Sequence, residues 1–135
     1  MFVLDPILDR DTADVCSLPL CRVRLMRDSR YPWLILVPAR DGLVEIGDLA
    51  REDRVALMDE VVLASRAIEA LYAPDKMNVA AIGNVVRQLH VHVVGRTEGD
   101  PAWPGPVWGH SAGVAYSDDG LRTQLERIRG ALGSD

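Results

Sequence analysis

The sequence has few of the features that mark membrane and secreted proteins. Its longest apolar run, residues 33–37, is much shorter than the roughly 20 residues that a membrane span needs. Residues 1–6 lack the basic segment and the cleavage site of a signal peptide. We therefore expect a cytoplasmic protein that does not contact a membrane.

Positive charge is scarce. Fifteen Lys and Arg residues are set against twenty Asp and Glu residues, which gives a formal net charge of -5 at pH 7, and no basic cluster is present. This balance argues against duplex nucleic acid as a partner. Because an acidic surface repels anions at long range, a phosphate-bearing ligand would have to be held by local donors such as backbone N–H groups, amides and single Arg or His side chains.

Cysteine is also scarce, since Cys16 and Cys21 are the two cysteines of the chain. They lie on either side of a predicted turn, and a pair of reduced, small core side chains is the favoured interpretation. A structural zinc site would need two further ligands, and the Cys-x4-Cys spacing is not typical of a zinc knuckle.

The 135 residues, 48% of them hydrophobic, are enough for one domain with its own core, and we expect residues 1–135 to form it. Apolar alternation and continuous apolar runs predict strands at residues 14–17, 20–27, 33–37, 77–82 and 88–94. A helix is predicted from residue 49 or 51 to about residue 72, with Asp48 as N-cap. Residues 118–120 could cap a last amphipathic helix that has Leu121, Leu125, Ile128 and Leu132 on one side. The fold class is therefore α+β: an antiparallel sheet of about five strands with one long helix and a C-terminal helix.

The side chains with chemical potential are concentrated in residues 88–94, which contain two of the three histidines. Because side chains alternate across a strand, Gln88, His90 and His92 are predicted to share one face, with apolar residues on the other. Burying such a polar row without partners would cost on the order of a few kcal/mol per group. The row is therefore expected to meet water or to line a polar pocket.

Two chemistries suit this row, and the spacing does not choose between them. A His-x-His pair on a strand commonly presents two imidazoles to one metal ion, but a catalytic zinc needs a third ligand, and His110 is the remaining histidine. In the metal-free alternative, one neutral imidazole attacks an electrophile such as phosphorus while its neighbour and the amide hold oxygens and protons.

Residues 83–96 resemble the signature of the histidine triad (HIT) superfamily, of the Hint and Fhit type. In that signature a Gly-Gln turn leads to His-φ-His-φ-His-φ-φ and often an Arg. The corresponding segment here reads Gly83-Asn84-Val85-Val86-Arg87-Gln88-Leu89-His90-Val91-His92-Val93-Val94-Gly95-Arg96. The apolar strand ending at Pro38, Asn78 upstream of the motif and the Trp103-Pro104 segment after it are also similar, so that the resemblance covers about residues 20–109.

The resemblance implies a HIT-like fold, a homodimer and a hydrolase or nucleotidyl transferase without a cofactor. Such enzymes act at the α-phosphate of nucleoside phosphoramidates, dinucleoside polyphosphates or related esters. By position, His90 matches the histidine that attacks phosphorus to form a nucleotidyl-histidine, and His92 the one that contacts the phosphate and helps the leaving group depart. Asn84 matches an amide near the phosphate, Asn78 an Asn that supports the site, and Asp28 the residue that hydrogen-bonds the ribose.

The motif departs from the family pattern at two positions. Gln88 stands in place of the first triad histidine, and Trp33 stands where many relatives have a fourth histidine. A Gln can hold a hydrogen bond but cannot relay a proton. Because the two histidines that touch phosphate in relatives are kept, nucleotide chemistry is the favoured reading. A catalytically weak nucleotide-binding or regulatory module and a metal-dependent hydrolase using His90 and His92 are the alternatives.

This chemistry sets two requirements on the site. His90 needs a fixed acceptor, such as a backbone carbonyl, for its non-attacking N–H. The phosphoryl oxygens need donors, for which Asn84, Gln88 and His92 are the candidates.

Several residues outside the motif have expected places of their own. Trp103 is expected to border the pocket, on the Trp-Pro resemblance, whereas Trp108 is expected to close the edge of the core. Arg96 either pairs with an acid or lies near the phosphates. His110 is expected to be exposed on a loop, and Arg24 to belong to a solvated face.

Overall fold

The computed structural model describes residues 1–133 and contains a five-stranded sheet. All neighbouring strands are antiparallel, in the spatial order β1-β2-β3-β5-β4. The strands are β1 (Thr12–Ser17), β2 (Cys21–Met26), β3 (Trp33–Pro38), β4 (Lys76–Ala80) and β5 (Val91–Arg96). The predicted α+β class and antiparallel sheet are confirmed.

Three α-helices accompany the sheet in the described chain: α1 (Pro6–Asp11), α2 (Arg51–Tyr72) and α3 (Asp118–Ala131). The long helix and the C-terminal helix are confirmed, but the N-cap of α2 is Ala50, not Asp48. Asp48 instead ends a short 3-10 turn, where its carboxylate accepts the backbone N–H groups of Val44 and Glu45. None of the described helices is both long enough and apolar enough to cross a membrane.

The first helix, α1, was not predicted. Asp5 caps it by accepting the N–H of Ile7 at 2.8 Å, and Pro6 occupies its first turn. An Asp N-cap followed by Pro at N1 is a recognised start signal for a helix, but six residues leave no room for an apolar periodicity.

The sheet is buried on both faces, which explains the uninterrupted apolar run of β3. One face packs on α2 and α3 through residues such as Leu34, Leu36, Val91 and Val93. The other face lies under the N-terminal segment and the loop that follows β5. Its buried apolar residues include Leu8, Tyr31, Trp33, Ile35, Val37, Val94 and Val107. The central strands β3 and β5 therefore hold side chains rigidly on this second face.

Two expectations for the first hairpin have different outcomes. Arg24 is buried rather than solvated, because its guanidinium donates to Thr12 Oγ1 at 2.9 Å and reaches Asp9 Oδ1 at 3.2 Å across the sheet edge. Cys16 and Cys21 are reduced and do not form a disulfide, as predicted. Burial, together with the nearby Glu60 carboxylate, raises the pKa of the Cys21 thiol. The thiol therefore stays protonated and is a poor nucleophile.

The strand that carries the histidines begins later than predicted. β5 starts at Val91, and residues 88–90 precede it as irregular chain with a bend at Gln88. Leu89 still packs on the α2 side, and its N–H donates to the carbonyl of Leu43 at 3.0 Å. The consequence is that Gln88 and His90 are not paired in the sheet, whereas His92 lies opposite Ile35 of β3 and Ala80 of β4.

Candidate functional site

His90 sits immediately before β5 and is only 5% exposed. Its Nδ1 lies 2.7 Å from the backbone carbonyl oxygen of Gln88. A carbonyl can only accept, so Nδ1 carries the proton and the neutral ring keeps its lone pair on Nε2. The fixed carbonyl acceptor expected for His90 is present, and it leaves Nε2 as a nucleophilic nitrogen.

His92 is held in the opposite tautomer by Trp33 of β3. The indole Nε1–H of Trp33 donates to His92 Nδ1 at 3.0 Å. Because indole nitrogen is a donor only, Nδ1 must be unprotonated and the ring proton sits on Nε2. The two imidazole rings lie 5.0 Å apart between centroids, at an interplanar angle of 65°. The site thus pairs one imidazole with a free Nε2 lone pair and one with an Nε2–H.

The surroundings keep His92 neutral. Burial, with a smaller contribution from the neighbouring His90, lowers the pKa of His92 to about 4, and a hydrogen bond with the backbone of Ile82 opposes this shift. Trp33 and Trp108 also pack against the ring, with centroid distances of 5.7 and 5.4 Å. At neutral pH, His92 is therefore an uncharged imidazole enclosed by aromatic rings.

Both histidines open onto a cavity of about 600 Å³, which we call the histidine cavity. Its wall is largely apolar and combines α1, the start of β3 and the loop after β5. The polar or aromatic side chains around it include Asp28, Trp33, Asn84, His90, His92 and Trp108. This volume and lining suit a small organic ligand with a few polar groups.

A second cavity of about 620 Å³, the turn cavity, lies beside the 83–84 turn. His90 and Asn84 line both cavities, so the two spaces meet at His90. Gly83 shapes the turn: a Cβ there would lie 2.9 Å from the carbonyl oxygen of Val86. Arg87 and Glu45 place charges of opposite sign in the turn cavity. Among residues 1–133, Arg87 has no hydrogen bond or ion pair.

Asp28 borders the histidine cavity and is 5% exposed. The Arg30 guanidinium donates two hydrogen bonds to its carboxylate, from Nε at 3.0 Å and from Nη2 at 2.9 Å, and the backbone N–H of Val114 donates to it at 3.3 Å. Burial alone would raise the pKa of Asp28, but these hydrogen bonds outweigh it and lower the pKa. The carboxylate is therefore ionised and held in place, and it can accept further hydrogen bonds.

The side-chain amide of Gln88 contacts the N-terminal segment and not the histidines. Its Oε1 accepts the N–H of Asp5 at 2.8 Å and its Nε2 donates to the carbonyl of Val3 at 2.9 Å. The side-chain amide is thus occupied by the N-terminal segment. Gln88 lines the turn cavity and contacts His90 through its backbone carbonyl.

Asn78, Arg96 and Trp103 form a separate cluster, which lines neither cavity within the described residues. Arg96 is 1% exposed, and its guanidinium donates two hydrogen bonds to the Asp100 carboxylate, at 2.8 and 2.9 Å. It also donates to Asn78 Oδ1 at 2.9 Å and lies over the Trp103 ring, 5.8 Å from its centroid. Of the two expectations for Arg96, the structure shows the pairing with an acid. The cluster fastens the loop after β5 to β4.

Other residues of the site carried little or no sequence signal. Trp108 packs at the edge of the apolar cluster as predicted, but it also lines the histidine cavity, and its Nε1 is buried without a partner within the described chain. The sequence does not indicate that Arg87 lacks a partner within residues 1–133, or that Trp33 donates a hydrogen bond to His92. Both depend on which residues the fold brings together. His110 is exposed on its loop, as expected.

The metal alternative has no ligand set in the part of the chain that the structure describes. No group of three or more His, Cys, Asp or Glu side chains is arranged there to hold a metal ion. Nε2 of His90 has a lone pair that could bind a metal ion, but Nε2 of His92 does not, because the indole N–H of Trp33 donates to its Nδ1 and the ring proton is therefore on Nε2. The arrangement fits the metal-free chemistry better.

Comparison with known proteins gives a consistent picture. The family model for the HIT domain matches residues 9–99. A histidine triad (HIT) protein from Sinorhizobium meliloti 1021 is 44% identical, with 96% of each chain covered and a TM-score of 0.94. A histidine triad protein from Marinobacter aquaeolei VT8 is 42% identical, covering 98% of this chain and 97% of that chain, with a TM-score of 0.96.

A more distant structural match shows similarity of fold alone. It is a hypothetical histidine triad nucleotide-binding protein from Sulfolobus tokodaii strain 7, 21% identical, with a TM-score of 0.66 over 94% of this chain and 89% of that chain. A search of curated proteins found no match.

Proposed function

Because this chain belongs to the histidine triad family and has its fold, we propose that it is a nucleotide hydrolase or nucleotidyl transferase acting at an α-phosphate. The observation that carries the proposal is the hydrogen bond between His90 Nδ1 and the Gln88 carbonyl at 2.7 Å, which presents an unprotonated Nε2. The reaction class includes nucleoside phosphoramidates, dinucleoside polyphosphates and related esters. No cofactor takes part in this chemistry.

In the proposed mechanism, Nε2 of His90 attacks the α-phosphorus. An N–P bond forms, the bond to the leaving group breaks, and its electron pair leaves with that group. The nucleotidyl-imidazole carries a positive charge, which its Nδ1–H shares with the Gln88 carbonyl. Water, or another acceptor, then displaces His90 from phosphorus and releases the nucleotide. Holding the reactants in place supplies much of the rate enhancement.

The histidine cavity is the proposed place of the nucleoside. Its apolar wall suits the flat faces of a base, and the ionised Asp28 can accept hydrogen bonds from ribose hydroxyls. Asn84 lines both cavities beside His90, and its proposed role is to donate a hydrogen bond to a phosphoryl oxygen. Asn78, Arg96 and Trp103 are proposed to support the site by holding the loop after β5, without touching the substrate.

The turn cavity is the proposed place of the leaving group, with Arg87 as its free cation. Replacing Arg87 by Gln is expected to lower kcat/KM about tenfold for a polyphosphate leaving group, because a charge-assisted contact is worth about 1.5 kcal/mol. Steady-state kinetics with diadenosine triphosphate measures this loss, and Arg87→Lys should restore part of it. Arg51→Gln is the matched control, since Arg51 is exposed on α2 and lines neither cavity. Equal losses in the two Gln variants would contradict the assignment.

We propose that the protein works in the cytoplasm as a homodimer. β4 is an outer strand of the sheet, and its Val79 is 49% exposed. Further exposed apolar side chains on α2 are Val55, Met58 and Val62. An open strand edge accompanied by apolar surface is suited to pairing with a second copy.

Light scattering during size-exclusion chromatography tests the dimer. The protein is expected to elute with twice the mass of the chain. Val79→Lys is expected to shift it toward the monomer, because dimerisation would bury the added charge at the interface between the two β4 edges. Val3→Lys is the control, because Val3 is also exposed (70%, against 49% for Val79) but lies on the N-terminal segment. A monomeric wild-type protein would refute the homodimer.

A further inference from the structure

The contact between Trp33 and His92 constrains what His92 can do. The indole N–H points at Nδ1 over 3.0 Å, and Trp33 is 7% exposed on the central strand β3. An indole cannot reverse the direction of this hydrogen bond, because its nitrogen has no lone pair to offer. A histidine in place of Trp33 could accept as well as donate.

Acid catalysis by His92 would require a second proton on its ring. The neutral Nε2–H tautomer cannot surrender its proton to a leaving group without becoming an imidazolate, which is far too basic an anion to form there. The cation would have to be protonated at Nδ1, where the Trp33 N–H already points. The rings packed on His92 are those of Trp33, Trp108 and His90, and the last is its one titratable neighbour among them. None of these rings stabilises an imidazolium, and the hydrogen bond with the backbone of Ile82, which does favour the cation, is outweighed by burial.

On the basis of the proposed function, we infer that Trp33 is a positioning residue that fixes His92 as a neutral Nε2–H donor and so restricts the enzyme to leaving groups that depart without a proton. In a phosphoanhydride, the P–O bond breaks and the electron pair stays on a phosphate oxygen, which is stable as an anion. In a phosphoramidate of an alkyl amine, the P–N bond breaks and the nitrogen must gain a proton. His92 cannot supply that proton.

The position and charge of Arg87 favour the same class of leaving group. It places a partner-free guanidinium in the turn cavity, where the leaving group is proposed to lie. A cation there attracts a departing phosphate and repels a protonated amine. Glu45 lines the same cavity, and its carboxylate opposes this effect in part.

The first test compares two substrates that share one nucleoside. Wild-type protein is expected to turn over diadenosine triphosphate with a kcat/KM about 100-fold above that of an adenosine 5′-phosphoramidate of an alkyl amine, since general acid catalysis contributes at least about this factor. Trp33→His is expected to reduce this ratio at least tenfold. Its phosphoramidate activity should also fall as the pH rises through the pKa of the released His92.

Trp108→Phe is the matched control. Trp108 also packs on His92, with ring centroids 5.4 Å apart, but its Nε1 makes no hydrogen bond in the described chain. This variant is expected to change turnover of both substrates alike and leave their ratio as it is in the wild type. Trp33→Phe keeps an aromatic ring without the donor, so it separates loss of the hydrogen bond from loss of packing.

Nitrogen-15 NMR of the imidazoles gives a readout that does not depend on turnover. In the wild type, His92 is expected as the neutral Nε2–H tautomer and His90 as the Nδ1–H tautomer when neutral. His92 should stay neutral down to about pH 5, above its pKa of about 4. In Trp33→Phe, the His92 signals should show a mixture of tautomers.

The outcomes separate the two proposals. Comparable wild-type rates on both substrates, or His92 protonated at Nδ1, would overturn the role of Trp33 and leave the proposed function standing. Absence of turnover and of any nucleotidyl adduct with either substrate would overturn both.

Discussion

Replacing His90 by Ala is expected to abolish nucleotide turnover, with a loss in kcat of at least about a thousandfold, because the variant lacks the attacking nitrogen. The Gln88 carbonyl and the other groups of the two cavities would remain, so nucleotide binding should change much less than turnover. Steady-state kinetics with diadenosine triphosphate, combined with calorimetry of nucleotide binding, measures both effects.

His110→Ala is the matched control for this loss. His110 lies exposed on the loop after β5, contacts Ser111 and lines neither cavity in the described chain. The His110→Ala variant also loses one imidazole, but one that lies outside both cavities, so its turnover should equal that of the wild type. Circular dichroism should show that both variants stay folded. Unimpaired turnover by His90→Ala would refute His90 as nucleophile.

Replacing Arg96 by Met is expected to destabilise the protein by about 3 kcal/mol or more, because it leaves the buried carboxylate of Asp100 without its partner. The same change removes the donor to Asn78 that ties β5 to β4. Urea denaturation measures the loss in the free energy of unfolding. The fraction that stays folded should keep a KM close to that of the wild type, because Arg96 lines neither cavity.

Arg122→Met provides the comparison for Arg96. Arg122 also pairs with an aspartate, Asp119, but both side chains are largely exposed on α3, and exposed ion pairs contribute little to stability. A large increase in KM with unchanged stability in Arg96→Met would instead place Arg96 at the phosphates, the alternative that the sequence left open.

The parts of the fold that the sequence predicted are those governed by local periodicity. The apolar side chains of α2 recur at helical spacing, and the apolar run of β3 reflects burial on both faces of the sheet. The packing of Leu89, Val91 and Val93 on the α2 face also follows from the alternation along the motif. These features depend on side-chain pattern alone, so one sequence is enough to predict them.

The parts that could not be predicted depend on contacts between distant residues. The Gln88 amide is bound by residues 3 and 5, more than eighty positions away in the sequence. The hydrogen bond from Trp33 to His92 likewise follows from the pairing of β3 with β5. The family resemblance indicates that Trp33 stands where many relatives have a histidine, but only the three-dimensional contact shows which nitrogen of His92 it engages.

Intact-mass spectrometry after brief mixing with diadenosine triphosphate tests the central claim most directly. The wild-type protein is expected to gain the mass of one adenylyl group, and this adduct should be absent from His90→Ala and present in His110→Ala. Nucleotide binding without an adduct or turnover would point to a binding module instead of an enzyme. An adduct that persists in His90→Ala would contradict attack by His90.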